Sequence, residues 1–85
     1  MKQGDLVRVK PYNEIVKTGN YIVSMGGIQS TTNRDYFFVD EMKDMCGKEY
    51  TIAIVYQKTK SYILCENGSI HKEYGFVKEW LEKVK

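Results

Sequence analysis

The chain has 85 residues, 42% of them hydrophobic and 28% charged, with a formal net charge of +2. That length gives one domain, 1–85, and the composition is globular rather than disordered. The net charge is too small to argue for nucleic acid by bulk electrostatics, and no apolar run is long enough for a membrane span or a signal peptide.

These bounds predict a cytoplasmic domain of modest stability, since a chain this short buries only about 60–65% of its unfolded surface. The charge is unevenly spread. Residues 1–34 hold five cations against two acids, whereas residues 35–50 hold two against five. One basic and one acidic region are expected. Cys46 and Cys65 lie far apart in apolar surroundings and read as two buried thiols. Asn67-Gly68-Ser69 matches a glycosylation acceptor, but nothing in the sequence supplies the secretion signal that would give the match meaning.

In chain order, "GDLVRVK" (4–10) alternates, with Leu6 and Arg8 on one side and Val7 and Val9 on the other. It reads as a first strand closed by Pro11. "YIVSM" (21–25) reads as a short edge strand, and "GGIQSTTNRD" (26–35) as a loop of turn-forming residues. In 38–46, Phe38, Val39, Met42, Met45 and Cys46 fall at helical spacing, with Asp40, Glu41, Lys43 and Asp44 opposite. Asp35 or Asp40 is placed to cap that helix and Gly47 to end it in a left-handed conformation.

The period then changes. "EYTIAIVYQ" (49–57) puts Tyr50, Ile52, Ile54 and Tyr56 on one face, and both faces are apolar enough for a central strand. "KTK" (58–60) is a turn and "SYILCE" (61–66) the next strand. Asn67-Gly68 is a strong hairpin signal, and "SIHKEY" (69–74) is the returning strand. In 76–84, Phe76, Val77, Trp80, Leu81 and Val84 form a stripe opposite Lys78, Glu79, Glu82 and Lys83. That pattern predicts a C-terminal helix supported by a Glu79–Lys83 pair.

The expected fold is mainly β with short helices. The favoured form is a small SH3-like antiparallel barrel, with a helical turn at 38–46 and a C-terminal helix at 76–84. An open antiparallel sheet carrying two helices on one face is the alternative.

The chemistry-bearing residues give no catalytic constellation, so the chain reads as non-enzymatic and without a cofactor. A reactive cysteine needs a lowered pKa, yet Cys46 continues the Met42–Met45 stripe at a helix end, where the dipole raises it. His71 is the single histidine and lacks any flanking motif of a catalytic triad. A metal site from Cys46, Cys65 and His71 lacks paired close spacing and a fourth ligand. Asp40, Glu41 and Asp44 read as a solvated face, and Gly26-Gly27 with Ser30–Thr32 lacks the frame of a phosphate loop. The candidate binding set is Arg8, Lys10, Tyr12, Tyr56, Lys58, Lys60 and Tyr62. If their strands adjoin, they supply a basic groove with aromatic platforms for a single nucleic-acid strand. Seven tyrosines also suit a protein-binding surface.

"FVDEMKDMCGKEYTIAIV", through Phe38, Met42, Cys46, Gly47 and Lys48, resembles short uncharacterised proteins encoded by phages and prophages. "GDLVRVK" looks like the first strand that those proteins share with SH3-like barrels. They typically end in a tryptophan-bearing strand before a methionine-containing turn, whereas Trp80 here falls inside the expected helix. The resemblance implies action in the host cytoplasm by stoichiometric binding to a host protein of defence or regulation. It transfers no functional residue. The leading expectation is therefore a non-catalytic protein-binding module, with a small barrel for single-stranded nucleic acid as the alternative.

Overall fold

The computed structural model describes residues 1–66, 68–70 and 74–84. Among the described residues, nine strands make two antiparallel sheets. The larger sheet contains β1 (Leu6–Val9), β5 (Glu49–Tyr56), β6 (Ser61–Glu66), β7 (Ser69–Ile70), β8 (Phe76–Val77) and β9 (Leu81–Lys83), in the order β7-β6-β5-β1-β9, with β8 also on β6. The smaller sheet is β2 (Gly19–Ile22), β3 (Gly27–Ser30) and β4 (Phe37–Val39), with β3 in the middle. A four-residue helix, α1 (Tyr12–Ile15), follows Pro11, whose fixed φ suits a helix start. Among the described residues, no helix is long and apolar enough to cross a membrane.

The mainly β class with short helical pieces is what the sequence predicts, and β1, β5 and β6 fall where their alternation places them. Val7 and Val9 are fully buried while Leu6 is 38% exposed. β5 is central, between β6 and β1. Gly47 takes a left-handed φ of 79° as expected.

Several expectations are corrected. The 76–84 segment is not a helix. It is β8, a 3-10 turn at Lys78–Trp80, and β9. β9 pairs with β1 through Val7↔Lys83, Arg8↔Glu82 and Val9↔Leu81, satisfying backbone groups that a helix there would leave open on β1. The Glu79–Lys83 pair does not form: Lys83 Nζ lies 3.7 Å from Asp5 and Glu79 accepts from Ser30 Oγ at 2.5 Å.

The 38–46 segment is also not an α-helix. Phe38 belongs to β4, and Asp40–Met45 is a 3-10 helix. Three residues per turn still put Met42 and Met45 on one buried face. No side chain caps it; Asp40 instead accepts from the Tyr21 hydroxyl at 3.0 Å. The expected loop 26–35 contains β3, and the expected strand 21–25 is displaced to β2 with a 3-10 turn at Val23–Met25.

A closed barrel does not form. β8 lies on β6 and β9 on β1, and the three-residue turn stands between them. The sheets share one core. Phe38 of β4 meets Trp80 and Phe76 edge-on, with ring centroids 5.4 and 6.2 Å away. All three rings are fully buried. The indole Nε1 of Trp80 meets no acceptor among the described residues, so packing alone holds that ring. Cys46 and Cys65 are free thiols and only half-buried, rather than buried as their apolar surroundings in the sequence suggest. Asn67 and His71, with residues 72 and 73 of the expected return strand, lie outside the described residues, and the described part of that strand is β7.

Candidate binding groove

Alternation alone would put Tyr56 on the face of Tyr50 and Ile52. A β-bulge prevents this. Ile52 pairs with Leu64 but Ile54 with Ile63, so one extra residue falls between them on β5. A one-residue slip exchanges faces. Val55 then packs on the core, and Tyr56 is left 47% exposed.

Tyr56 borders a groove of about 600 Å³. Lys10, Lys60 and Tyr62 also line it, together with Lys78, Glu79 and Thr32. Lys10 is positioned as β1 ends, where its N–H donates to the Trp80 carbonyl at 2.9 Å. Lys78 is positioned by the 3-10 turn that the buried Trp80 anchors. Lys60 sits in the β5–β6 turn with a φ of 54°, and the nearly buried Tyr62 forms a wall. The hydroxyls of Tyr36, Thr59 and Ser61 tie that turn to the smaller sheet: Ser61 Oγ is 2.9 Å from Tyr36 Oη and 2.7 Å from Thr59 Oγ1. Asn33 Nδ2 adds a bond to the Thr59 carbonyl at 3.0 Å.

Lys58 lines an adjoining hollow of about 400 Å³ with Tyr36, and Val55, Tyr56 and Gln57 border both spaces. Five of the seven candidate residues are thus brought to one surface. The other two are not. Arg8 Nη2 is 2.9 Å from Glu49 and its Nη1 3.5 Å from Glu82. The Glu49 hydrogen bond holds the guanidinium firmly protonated, with its pKa raised. Tyr12 packs on Phe38 at 6.2 Å and carries Lys43 Nζ 4.6 Å above its ring.

The groove is basic. Among the described residues, Lys10, Lys58, Lys60 and Lys78 are in no ion pair. The carboxylate lining it, Glu79, accepts from the Ser30 hydroxyl at 2.5 Å, while the Thr31 hydroxyl, 3.4 Å away, donates to the Thr18 carbonyl at 3.1 Å. Sequence reasoning missed Lys78, Glu79 and Thr32. The first two were hidden by a helical reading of their segment, and a strand–turn–strand reading of 76–83 would have exposed them.

The thiol of Cys46 is shifted upward, mainly by desolvation and against a lowering effect of Lys43, so it is a poor nucleophile. The direction is the expected one, but burial causes it rather than an α-helix dipole. Among the described residues, no three His, Cys, Asp or Glu side chains gather where a metal ion would be held. The groove offers ammonium groups, hydroxyls and a phenol face, which suit capture of an anion. No protein-family model, curated protein or solved structure matches the chain.

Proposed function

We propose that this chain is a non-catalytic binding module whose partner is a protein, of the phage- or prophage-encoded kind that acts in the host cytoplasm. One observation carries the reading. Tyr21, Val23 and Met25 follow one another along β2 and its turn, and they are 47%, 84% and 52% exposed. Exposed apolar side chains this close together in a small domain mark a contact surface rather than ordinary scatter.

Their strand adds to the argument. Among the described residues, β2 is an edge, paired with β3 on one side only. Its free flank suits strand addition by a partner segment, with the apolar side chains supplying specificity. The Tyr21 hydroxyl is bonded to Asp40 at 3.0 Å, which fixes the exposed ring in place. The resemblance fits this reading, because Phe38, Met42 and Cys46 all have packing roles and leave recognition to other residues. An SH3-like arrangement is the matching proposal for the fold. Its support is the short turn at 78–80, which carries the chain from the edge of β6 to the edge of β1.

The test compares the native chain with a Val23→Asp, Met25→Ser double variant as immobilised baits in host lysate. The native bait should retain one protein in near-equal amount, and the variant should lose it while melting at a similar temperature. Equal recovery by both, or no stoichiometric partner for either, counts against the proposal.

A further inference from the structure

We propose that the groove beside Tyr56 binds single-stranded nucleic acid, with bases on the Tyr56 ring and backbone phosphates on Lys10, Lys60 and Lys78. This surface is separate from the Tyr21–Met25 strip, so either assignment stands or falls without the other.

Tyr56 is half-exposed and lines both a hollow of about 600 Å³ and an adjoining one of about 400 Å³. Each hollow has its own lysine supply: Lys10, Lys60 and Lys78 in the first, Lys58 in the second. A further space of about 420 Å³ continues from the first past Met1, Val55 and Gln57 to Lys2. The result is a track with cations at intervals and an aromatic face between them. That is the requirement for holding a flexible strand, since every base offers a π-face and every linkage a negative charge.

Charge bookkeeping favours the same ligand. The groove lysines have no acidic partner among the described residues, whereas Arg8 and Lys43 are paired with acids elsewhere. Glu79 keeps its negative charge, but the Ser30 hydroxyl draws its carboxylate toward the smaller sheet, and the lysines of the two hollows outnumber it. An acidic peptide could use the lysines, yet it would leave the Tyr56 face without a matching group. A duplex keeps its bases stacked on one another, so it too leaves Tyr56 unused.

The test is fluorescence anisotropy with a labelled 12-nucleotide single strand, its duplex, and a polyglutamate competitor. Three to four phosphate contacts predict affinity falling roughly 20- to 50-fold between 50 and 200 mM salt. Lys60→Ala and Lys78→Ala should each weaken binding and flatten that dependence. Tyr56→Ala should weaken binding roughly 5- to 150-fold with the salt dependence unchanged. Arg8→Ala should bind as the native chain does. The proposal is overturned by no binding at 50 mM salt from protein with a normal melt, by equal affinity for the duplex, by polyglutamate competing as well as unlabelled strand, or by a Tyr56→Ala variant of native affinity.

Discussion

Replacing Gly27 by alanine probes the close approach of β3 to β4, the strand that carries Phe38 into the core. A Cβ at Gly27 would lie 2.6 Å from the Phe38 carbonyl oxygen and 2.7 Å from Val39 Cα. Both atoms are main chain, so no rotamer change relieves the clash, and one strand must retreat by most of an ångström. β4 has little room to do so. The Asp40 N–H donates to the Gly26 carbonyl at 2.9 Å, and the Ser30 N–H to the Tyr36 carbonyl at 2.9 Å. Between them, the Phe38 ring is wedged 5.4 Å from Trp80. Overpacking costs about 1–3 kcal/mol, and a fixed main chain puts this site at the upper end. Alanine also restricts the unfolded chain, which returns about 0.4–1 kcal/mol. The net loss is about 2 kcal/mol, or a fall in Tm of about 8–16 °C for a domain of this size. Thermal melts followed by circular dichroism and by the fluorescence of the single, buried Trp80 measure it. A variant melting within about 4 °C of the native chain would refute the close-approach argument.

Met42 is 1% exposed beneath the 3-10 turn. Met42→Asp combines a lost core side chain with a buried carboxylate, a loss comparable to the whole stability of about 4–13 kcal/mol expected for this length. It should leave no cooperative melt at 25 °C, whereas Met42→Leu should cost less than about 1.5 kcal/mol; a folded Met42→Asp protein refutes the packing role. Cys46→Ala should lower stability by about 1 kcal/mol, from packing alone, and leave both proposed surfaces working. In the native chain, Cys46 should react with iodoacetamide at pH 8 more slowly than a cysteine in an unstructured peptide, because desolvation raises its pKa; equal rates contradict this. The Asp5 carboxyl is lowered first by the Lys2 N–H bond, then by the Lys83 charge. Its contribution is present above the unfolded carboxyl range near pH 4 and is lost as pH falls through the lower folded value. Asp5→Asn should therefore flatten the fall in Tm below pH 4, and an unchanged acid limb would contradict that linkage.

Two kinds of strand are legible in the sequence: β1, whose two faces differ, and β5 and β6, short alternating runs that are apolar on both faces and bounded by turn residues. Val7 and Val9 against Leu6 and Arg8 admit one reading. The C-terminal segment admits two, because Phe76, Val77, Trp80 and Leu81 are buried equally well as a helical stripe or as two strands around a tight turn. What decides is a non-local term: β1 needs a partner on its second flank, and residues 81–83 provide one. The same holds for β3. "GIQS" has turn-forming composition, yet Ser30 is 1% exposed and bonded to Glu79, forty-nine positions away. Local propensity is a weak signal where long-range pairing supplies the hydrogen bonds.

The groove was half legible for a related reason. Lysines and tyrosines mark a basic aromatic surface in any arrangement, but pairing decides which of them belong to it. Arg8 looks as available as Lys10 in sequence. In the sheet, the register sets Arg8 opposite Glu49 on one side and Glu82 on the other, so its charge is satisfied twice. Lys10 lies just past the end of that register and is left over. Tyr56 is governed by the bulge in the same way. Without the extra residue between Ile52 and Ile54 it would follow Tyr50 and Ile52 inward, and the two hollows would lose the ring that lines both. The defect in β5 and the end of pairing after β1 therefore create this surface, and neither follows from composition.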